Sequence, residues 1–150
     1  MVIRPARASE RFVLQELQRR SSLEHADTRA ALLADPGLID LPGWHLAHTL
    51  VAERAGVLLG FAVVLPRADG AAELDGLFVD SGRWREGVGA ALIAAAAEAA
   101  RETGAATLHV IANLNALAFY RASGFIDGAT IDMRLSEALE MHLPLIREAA

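Results

Sequence analysis

Apolar residues recur along this chain with two spacings, and the changes between them predict the order of its secondary structure. Alternation is typical of strands, whereas a spacing of three or four residues is typical of helices. The first third predicts a strand over residues 2–7, a helix capped by Ser9 with apolar repeats at Phe12, Val13 and Leu17, and a helix over residues 27–34. The turn signal "DPG" at residues 35–37 would end the second helix.

The middle of the chain predicts an antiparallel meander followed by one parallel step. From Thr49, "TLVAERAGVLLGFAVVLPR" predicts two strands joined at residues 54–56, and "ADG" turns the chain into a third strand, "AAELDGLFVD". A helix over residues 86–103, ended by Gly104, leads to a strand over residues 106–112. This order predicts a right-handed parallel crossover between residues 74–79 and 107–112.

The remaining pattern predicts a short helix over residues 116–122 and strands near residues 129–134 and 138–143. Together the elements predict an α/β fold of the α+β kind. Its mixed sheet is antiparallel at both ends, has one parallel step in the middle, and is flanked by helices.

Composition narrows the class of protein. A length of 150 residues, with 53% hydrophobic and 22% charged residues, indicates one compact domain. The net charge of -5 argues against a general binder of nucleic acid or anionic membranes. All 14 basic residues are arginine, which excludes a Schiff-base or P-loop lysine, and the lack of cysteine excludes thiolate catalysis and disulfides. No secretory signal is visible, so we expect a cytoplasmic protein.

The junction "GRWREGVGAAL" places glycines at the start of a helix. The first amides of a helix lack partners and carry partial positive charge, so Gly87 and Gly89 could admit an anion while Arg83 and Arg85 supply charge. A plain turn that uses glycine for its dihedral angles is the alternative. A Rossmann fingerprint would need glycine where Leu92 stands, and a P-loop would need lysine.

Two segments, "ELDGLFVDSGRWREGVGAAL" and "NLNALAFYRASGF", resemble the signature motifs of the GNAT superfamily of acetyl-CoA-dependent N-acetyltransferases. The matching positions are Leu77, Val79, Arg85, Gly87 and Gly89 in the first motif, and Asn113, Ala116, Phe119, Tyr120, Gly124 and Phe125 in the second. The order of the other elements is also similar, so the resemblance covers nearly the whole chain. Trp84 departs from the family, which usually has Gln or Arg there.

The resemblance implies one GNAT domain over residues 1–150. In that fold the central parallel strands splay apart, and acetyl-CoA lies in the gap as cosubstrate, with no metal. The implied coenzyme-binding residues are Leu77, Phe78, Val79, Arg85, Glu86, Gly87, Val88, Gly89, Ala90, Asn113, Ala116 and Phe119.

Two side chains are candidates for proton transfer. The resemblance gives Tyr120 the role of general acid for the departing thiolate, although a tyrosine beside Phe119 could simply be core packing. Glu73, and less favourably Asp75, could accept the amine's proton; we expect them to share a strand face with the gap-facing residues, and a solvated face is the alternative. Transfer would be direct, because no cysteine or activated serine is present to carry the acetyl group.

Other polar and aromatic residues give weaker signals. His45 and His48 have a spacing that suits metal ligands but lack a convincing third ligand. His109 could face the acetyl group or the core, and Trp44 is a weak candidate for the acceptor pocket.

The acceptor amine has no motif in this sequence, so small amines and protein N-termini both stay open. A non-catalytic acyl-CoA-binding regulatory module and a preference for another acyl-CoA are the alternative functions. Exposed edges of the late strands make a homodimer an expectation.

Overall fold

The computed structural model describes residues 1–23, 41–80, 86–132 and 137–145, and every structural statement here concerns these residues. The strands are β1 (Val2–Pro5), β2 (Thr49–Arg54), β3 (Val57–Pro66), β4 (Ala72–Val79), β5 (Thr107–Asn113), β6 (Ile126–Asp132) and β7 (Glu137–Pro144). They form one sheet in the order β1-β2-β3-β4-β5-β7-β6. Among the described strands only β4 and β5 pair in parallel, which confirms the predicted mixed sheet with one central parallel step.

The described helices are α1 (Arg11–Leu23), α2 (Val88–Glu102) and α3 (Leu117–Ala122), with short 3₁₀ helices at Ala8–Glu10, Gly43–His48 and Leu114–Ala116. The helix expected over residues 27–34 lies outside the described residues. No described helix has the length and apolar character that crossing a membrane requires.

The start of α1 differs from the prediction. Ser9 lies inside the 3₁₀ turn before α1, and the carboxylate of Glu10 accepts the backbone N–H of Arg7 at 2.7 Å. Two N–H groups of Arg4 bind the same carboxylate at 2.8 and 2.9 Å, and together these bonds lower the pKa of Glu10 to about 2. The acidic side chain three residues into the turn therefore does the capping that the pattern assigned to Ser9.

The buried side of α1 also differs. Phe12 is 77% exposed and Val13 is 55% exposed, whereas Leu14 and Leu17 are buried. Leu14 and Leu17 are three residues apart and therefore project from the same side of the helix. They pack with Val51, Phe61 and Val63. The buried side of α1 therefore begins at Leu14, and the prediction that it begins at Phe12 and Val13 was wrong.

Helices α1 and α2 cover opposite faces of the sheet. The first packs on Val51 of β2, while the residue next to it, Ala52, belongs to the cluster that α2 covers. Neighbouring residues of a strand point to opposite faces, so the two clusters lie on the two sides of the sheet. The buried side of α2 is formed by Val88, Leu92, Ile93, Ala96, Ala97 and Ala100, and its many alanines allow a close approach to the strands.

A β-bulge in β4 changes which face its side chains occupy. Val63 pairs with Gly76 but Val64 pairs with Leu74, so Asp75 is an extra residue in β4. As a result Leu74, Leu77 and Val79 all pack in the cluster under α2. Glu73 follows Ala72 and precedes Leu74 and therefore points to the opposite face. The expectation that Glu73 shares a face with Leu77 and Val79 was wrong, because alternation was counted through the bulge.

Candidate active site

A gap opens between β4 and β5 soon after they begin. The two strands pair only where residues 72–74 lie beside residues 108–110. Beyond these pairs β4 continues to Val79 and β5 to Asn113, with no pairing between them among the described residues. The inner edges of the two strands therefore diverge from a vertex near Leu74, as the sequence resemblance implied.

The register with β3 shows which peptide groups of β4 face this gap. The N–H of Asp80 donates to the carbonyl of Leu59 at 2.8 Å, so Asp80 belongs to a hydrogen-bonded pair of the antiparallel ladder. Peptide groups alternate in direction along such a ladder, and Phe78 therefore also points toward β3. Leu77 and Val79 direct their N–H and C=O groups toward the gap. Three residues were expected to pair with the coenzyme through their backbone. Leu77 and Val79 face the gap in this way, whereas Phe78 faces β3.

The start of α2 lies near the wide end of the gap. Gly87 precedes the helix with φ of 79°, a left-handed conformation that favours glycine. The first helical bond runs from the N–H of Ala91 to the carbonyl of Gly87 at 3.1 Å. The amides of Val88, Gly89 and Ala90 therefore have no acceptor within the helix, and the helix dipole adds partial positive charge there.

Gly89 has a packing role that the sequence pattern did not suggest. A Cβ at this position would lie 3.0 Å from Cζ of Phe119 and 3.8 Å from Cγ2 of Val79. Glycine therefore lets the ring of Phe119 pack against the first turn of α2, which brings α3 close to that turn. At Gly87, by contrast, a Cβ would meet nothing within 4 Å, so its backbone conformation is the reason for glycine.

A cation that the sequence analysis missed stands beside this junction. Nη1 of Arg54 donates to Oε1 of Glu86 at 2.8 Å, directly before Gly87. Arg54 closes the β2–β3 hairpin, which extends past the last pair of β3 with β4. Sequence spacing gave no signal of this contact, because 32 residues separate the two side chains. The expected contributions of Arg83, Trp84 and Arg85 lie outside the described residues.

The opposite side of the gap carries the second motif. Asn113 ends β5 and is exposed, and its side chain makes no capping bond to the 3₁₀ helix that follows. Ala116 is half-buried at the start of α3, and Phe119 is 37% exposed beside the first turn of α2. The fold therefore brings the expected coenzyme residues of both motifs to the two sides of one gap.

Tyr120 is a neutral phenol in an apolar setting. It is 8% exposed, and the rings of Phe119 and Phe125 meet it edge-on, with centroids 5.3 and 5.4 Å away. Burial raises its pKa to about 12, since the phenolate would lose its hydration. Its hydroxyl makes no hydrogen bond to the described part of the chain. The side chain therefore packs in the core and keeps its phenolic proton at neutral pH.

On the face opposite α2, Glu73 and His109 lie side by side in the register of β4 and β5. Nδ1 of His109 lies 3.6 Å from Oε1 of Glu140 on β7, and Nε2 lies 3.0 Å from Oγ1 of Thr107. His109 therefore faces this polar side of the sheet and not the core. Glu73, His109 and Glu140 line a cavity of about 360 Å³ together with Arg67, Val110 and Ile111.

The remaining candidates lie nearer to α1. Nδ1 of His45 is 3.7 Å from Oδ2 of Asp75, and the ring of Trp44 meets those of His45 and His48 at 4.1 and 6.2 Å. Trp44 is 62% exposed. No group of three potential metal ligands occurs within the described ranges.

Comparison with known proteins places this geometry in a family. The model of the acetyltransferase (GNAT) family matches residues 13–125. Ard1 from Thermoplasma volcanium is 22% identical, with 97% of this chain and 98% of that one covered and a TM-score of 0.75. An aminoglycoside 6'-N-acetyltransferase complexed with coenzyme A is 14% identical, with both chains fully covered and a TM-score of 0.73. At these identities the two structures show the shared fold alone.

Nourseothricin acetyltransferase is more similar in sequence over a shorter stretch. It is 30% identical with a TM-score of 0.59, and the match covers 65% of each chain. The chain thus spans about two thirds of that protein's length. No curated protein matches the sequence. Because the family model covers well over half of the chain, the protein belongs to the acetyltransferase (GNAT) family and is an acyltransferase that takes its acetyl group from acetyl-CoA.

Proposed function

We propose that this protein moves an acetyl group directly from acetyl-CoA to a primary amine. The observation that carries the proposal is the gap between β4 and β5, which joins an exposed backbone edge to the first turn of α2. The backbone N–H and C=O groups of Leu77 face this gap, and an extended pantetheine arm offers amides that would pair with them. The helix start suits the pyrophosphate, because its amides and dipole favour anions.

The described residues fit such a ligand. Leu77 and Val79 would pair with the pantetheine arm through their backbone, and the amides of Val88, Gly89 and Ala90 would hold phosphate oxygens. Asn113 would offer its amide from the other side of the gap. Bound acetyl-CoA supplies a thioester, whose carbonyl carbon accepts the amine and whose sulfur leaves as thiolate.

The chain's own side chains would then manage protons and position. Tyr120 would donate the proton of its hydroxyl to the sulfur as the thiolate departs. Glu73 would accept a proton from the amine, directly or through water, since its carboxylate has no ion pair or hydrogen bond within the described residues. Holding the amine beside the thioester would supply much of the rate enhancement.

Substitution of Tyr120 by phenylalanine tests the proposal. It removes only the hydroxyl, so packing against Phe119 and Phe125 is kept. We expect kcat for thiol release with an accepted amine to fall by roughly 100-fold or more, while the Kd for acetyl-CoA in calorimetric titration stays unchanged. Phe125→Leu is the control, because it disturbs the same aromatic cluster without removing a proton donor.

Unchanged turnover in Tyr120→Phe would refute the role of Tyr120 as acid. Tight binding of acetyl-CoA by the wild-type protein, with no transfer to any amine in a broad screen, would favour the non-catalytic acyl-CoA-binding module instead.

A further inference from the structure

The cavity lined by Glu73, His109 and Glu140 lies at the vertex of the gap. Glu73 pairs in register with His109, one position before the last β4–β5 pair. The cavity is therefore at the closed end of the gap, on the face opposite α2, while the phosphate-binding turn lies near the open end. A ligand in this cavity would approach the inner end of a coenzyme arm that runs along β4.

The cavity contains two carboxylates without a cation of their own. Among the described lining residues Arg67 is the one with a permanent positive charge, and its Nη2 lies 3.1 Å from Oδ2 of Asp69, a carboxylate outside the lining. Glu73 makes no ion pair or hydrogen bond with the described residues. The ionisable group beside Glu140 is the imidazole of His109, with Nδ1 3.6 Å from Oε1. Two uncompensated like charges around one cavity repel each other, and a ligand with two positive charges would relieve that repulsion.

The two carboxylates also project from separate strands. Glu73 is on β4 and Glu140 is on β7, with β5 between them. Two strand spacings separate their backbones by roughly 10 Å, and the registers add an offset of two residues along β5. One ammonium group could not neutralise both carboxylates equally well, but two groups joined by a short aliphatic chain could.

We propose that this cavity is the acceptor site and that the acceptor is a small aliphatic diamine or a closely similar dication. This inference rests on the acetyl transfer proposed above. The proximal ammonium group loses one proton to Glu73 and becomes the attacking amine, and its nitrogen forms the bond to the acetyl carbon as the carbon–sulfur bond breaks. The nitrogen then sheds a second proton to solvent, while the sulfur gains one from Tyr120. Proton exchange with solvent afterwards restores the hydroxyl of Tyr120 and the carboxylate of Glu73. The distal ammonium group stays charged at Glu140.

His109 is a positioning residue in this arrangement. The hydroxyl of Thr107 engages Nε2 and sets the direction of the ring. The buried Nδ1 lies 3.6 Å from Oε1 of Glu140, beyond hydrogen-bond distance, and has no hydrogen-bond partner among the described residues. The imidazole therefore borders the carboxylate that recognises the distal charge of the acceptor, and its ring limits where that carboxylate can lie.

Three acceptors with the same reacting end test the proposal: 1,4-diaminobutane, 1-aminobutane and 4-aminobutanoate, whose distal ends are positive, neutral and negative. We expect kcat/KM to fall in that order, with the diamine favoured over the monoamine by about tenfold or more. Calorimetric titration of 1,4-diaminobutane into the protein with coenzyme A bound supplies a readout that does not depend on turnover.

Glu140→Gln should remove the preference by raising KM for the diamine about tenfold, with little change for 1-aminobutane. Glu102→Gln, an exposed carboxylate at the end of α2, is the matched control and should change neither. Equal use of the three acceptors, or an equal loss for both amines in Glu140→Gln, would overturn the diamine inference while acetyl transfer stands. Failure of every amine, with coenzyme bound, would refute the transfer reaction itself.

Discussion

The two ends of the gap between β4 and β5 are built from different chemistry. At the open end the groups that face a ligand are peptide groups, from Leu77, Val79 and the first turn of α2. At the vertex they are side chains, from Glu73, His109 and Glu140. The open end suits a ligand that is common to a family, since backbone geometry tolerates changes in side chains. The vertex suits a ligand that is specific to one protein, because a single substitution alters it.

The largest effect should come from the vertex. Glu73→Gln removes the proposed proton acceptor, so we expect kcat/KM at neutral pH to fall by roughly 100-fold, with an unchanged Kd for acetyl-CoA in calorimetric titration. Asp75→Asn is the matched control, because this neighbouring carboxylate lies in the bulge and faces His45. If the two variants lose activity equally, Glu73 is not the proton acceptor.

A smaller effect should come from the backbone of the open end. A Cβ at Gly60 would lie 2.6 Å from the carbonyl oxygen of Phe78, so Gly60→Ala must push β4 away from β3. We expect the free energy of unfolding in urea to fall by about 1–3 kcal/mol and acetyl-CoA to bind more weakly. Gly56→Ala is the control, because a Cβ at Gly56 would meet nothing within 4 Å. Its φ of 81° should cost about 1 kcal/mol of backbone strain, with coenzyme binding unchanged. Equal coenzyme affinity in both variants would show that the edge of β4 does not bind it.

The smallest effect should come from the ion pair beside the junction. Arg54 neutralises Glu86 directly before the phosphate-binding turn, so Arg54→Ala should weaken acetyl-CoA binding about threefold to tenfold. The double variant Arg54→Ala/Glu86→Gln should regain most of that loss, since it also removes the negative charge of Glu86 beside the turn. Arg101→Ala breaks a similar pair with Glu98 at the other end of α2 and should have no effect on the Kd. Failure of the double variant to recover would mean that Arg54 acts through something other than this charge.

The sequence predicted the features that depend on local patterns and missed those that depend on pairing between distant strands. Helix α2 was predicted from its periodicity and glycines, the parallel step from the order of strand, helix and strand, and both motifs from the family resemblance. The bulge at Asp75 could not be predicted, because it exists only relative to the pairing of β4 with β3. Arg54 at the junction and Glu140 beside His109 are long-range contacts that arise from strand order. The buried side of α1 was predicted wrongly because Phe12 and Val13 continue the apolar spacing although they are exposed.

Calorimetric titration of the protein with acetyl-CoA, with NADH and ATP as controls, tests the central claim most directly. We predict saturable binding of one acetyl-CoA per chain, and much weaker binding of either control, because neither carries a pantetheine arm to pair with the gap-facing edge of β4. Absence of acetyl-CoA binding, or equal binding of all three ligands, would contradict the assignment of the gap as the coenzyme site.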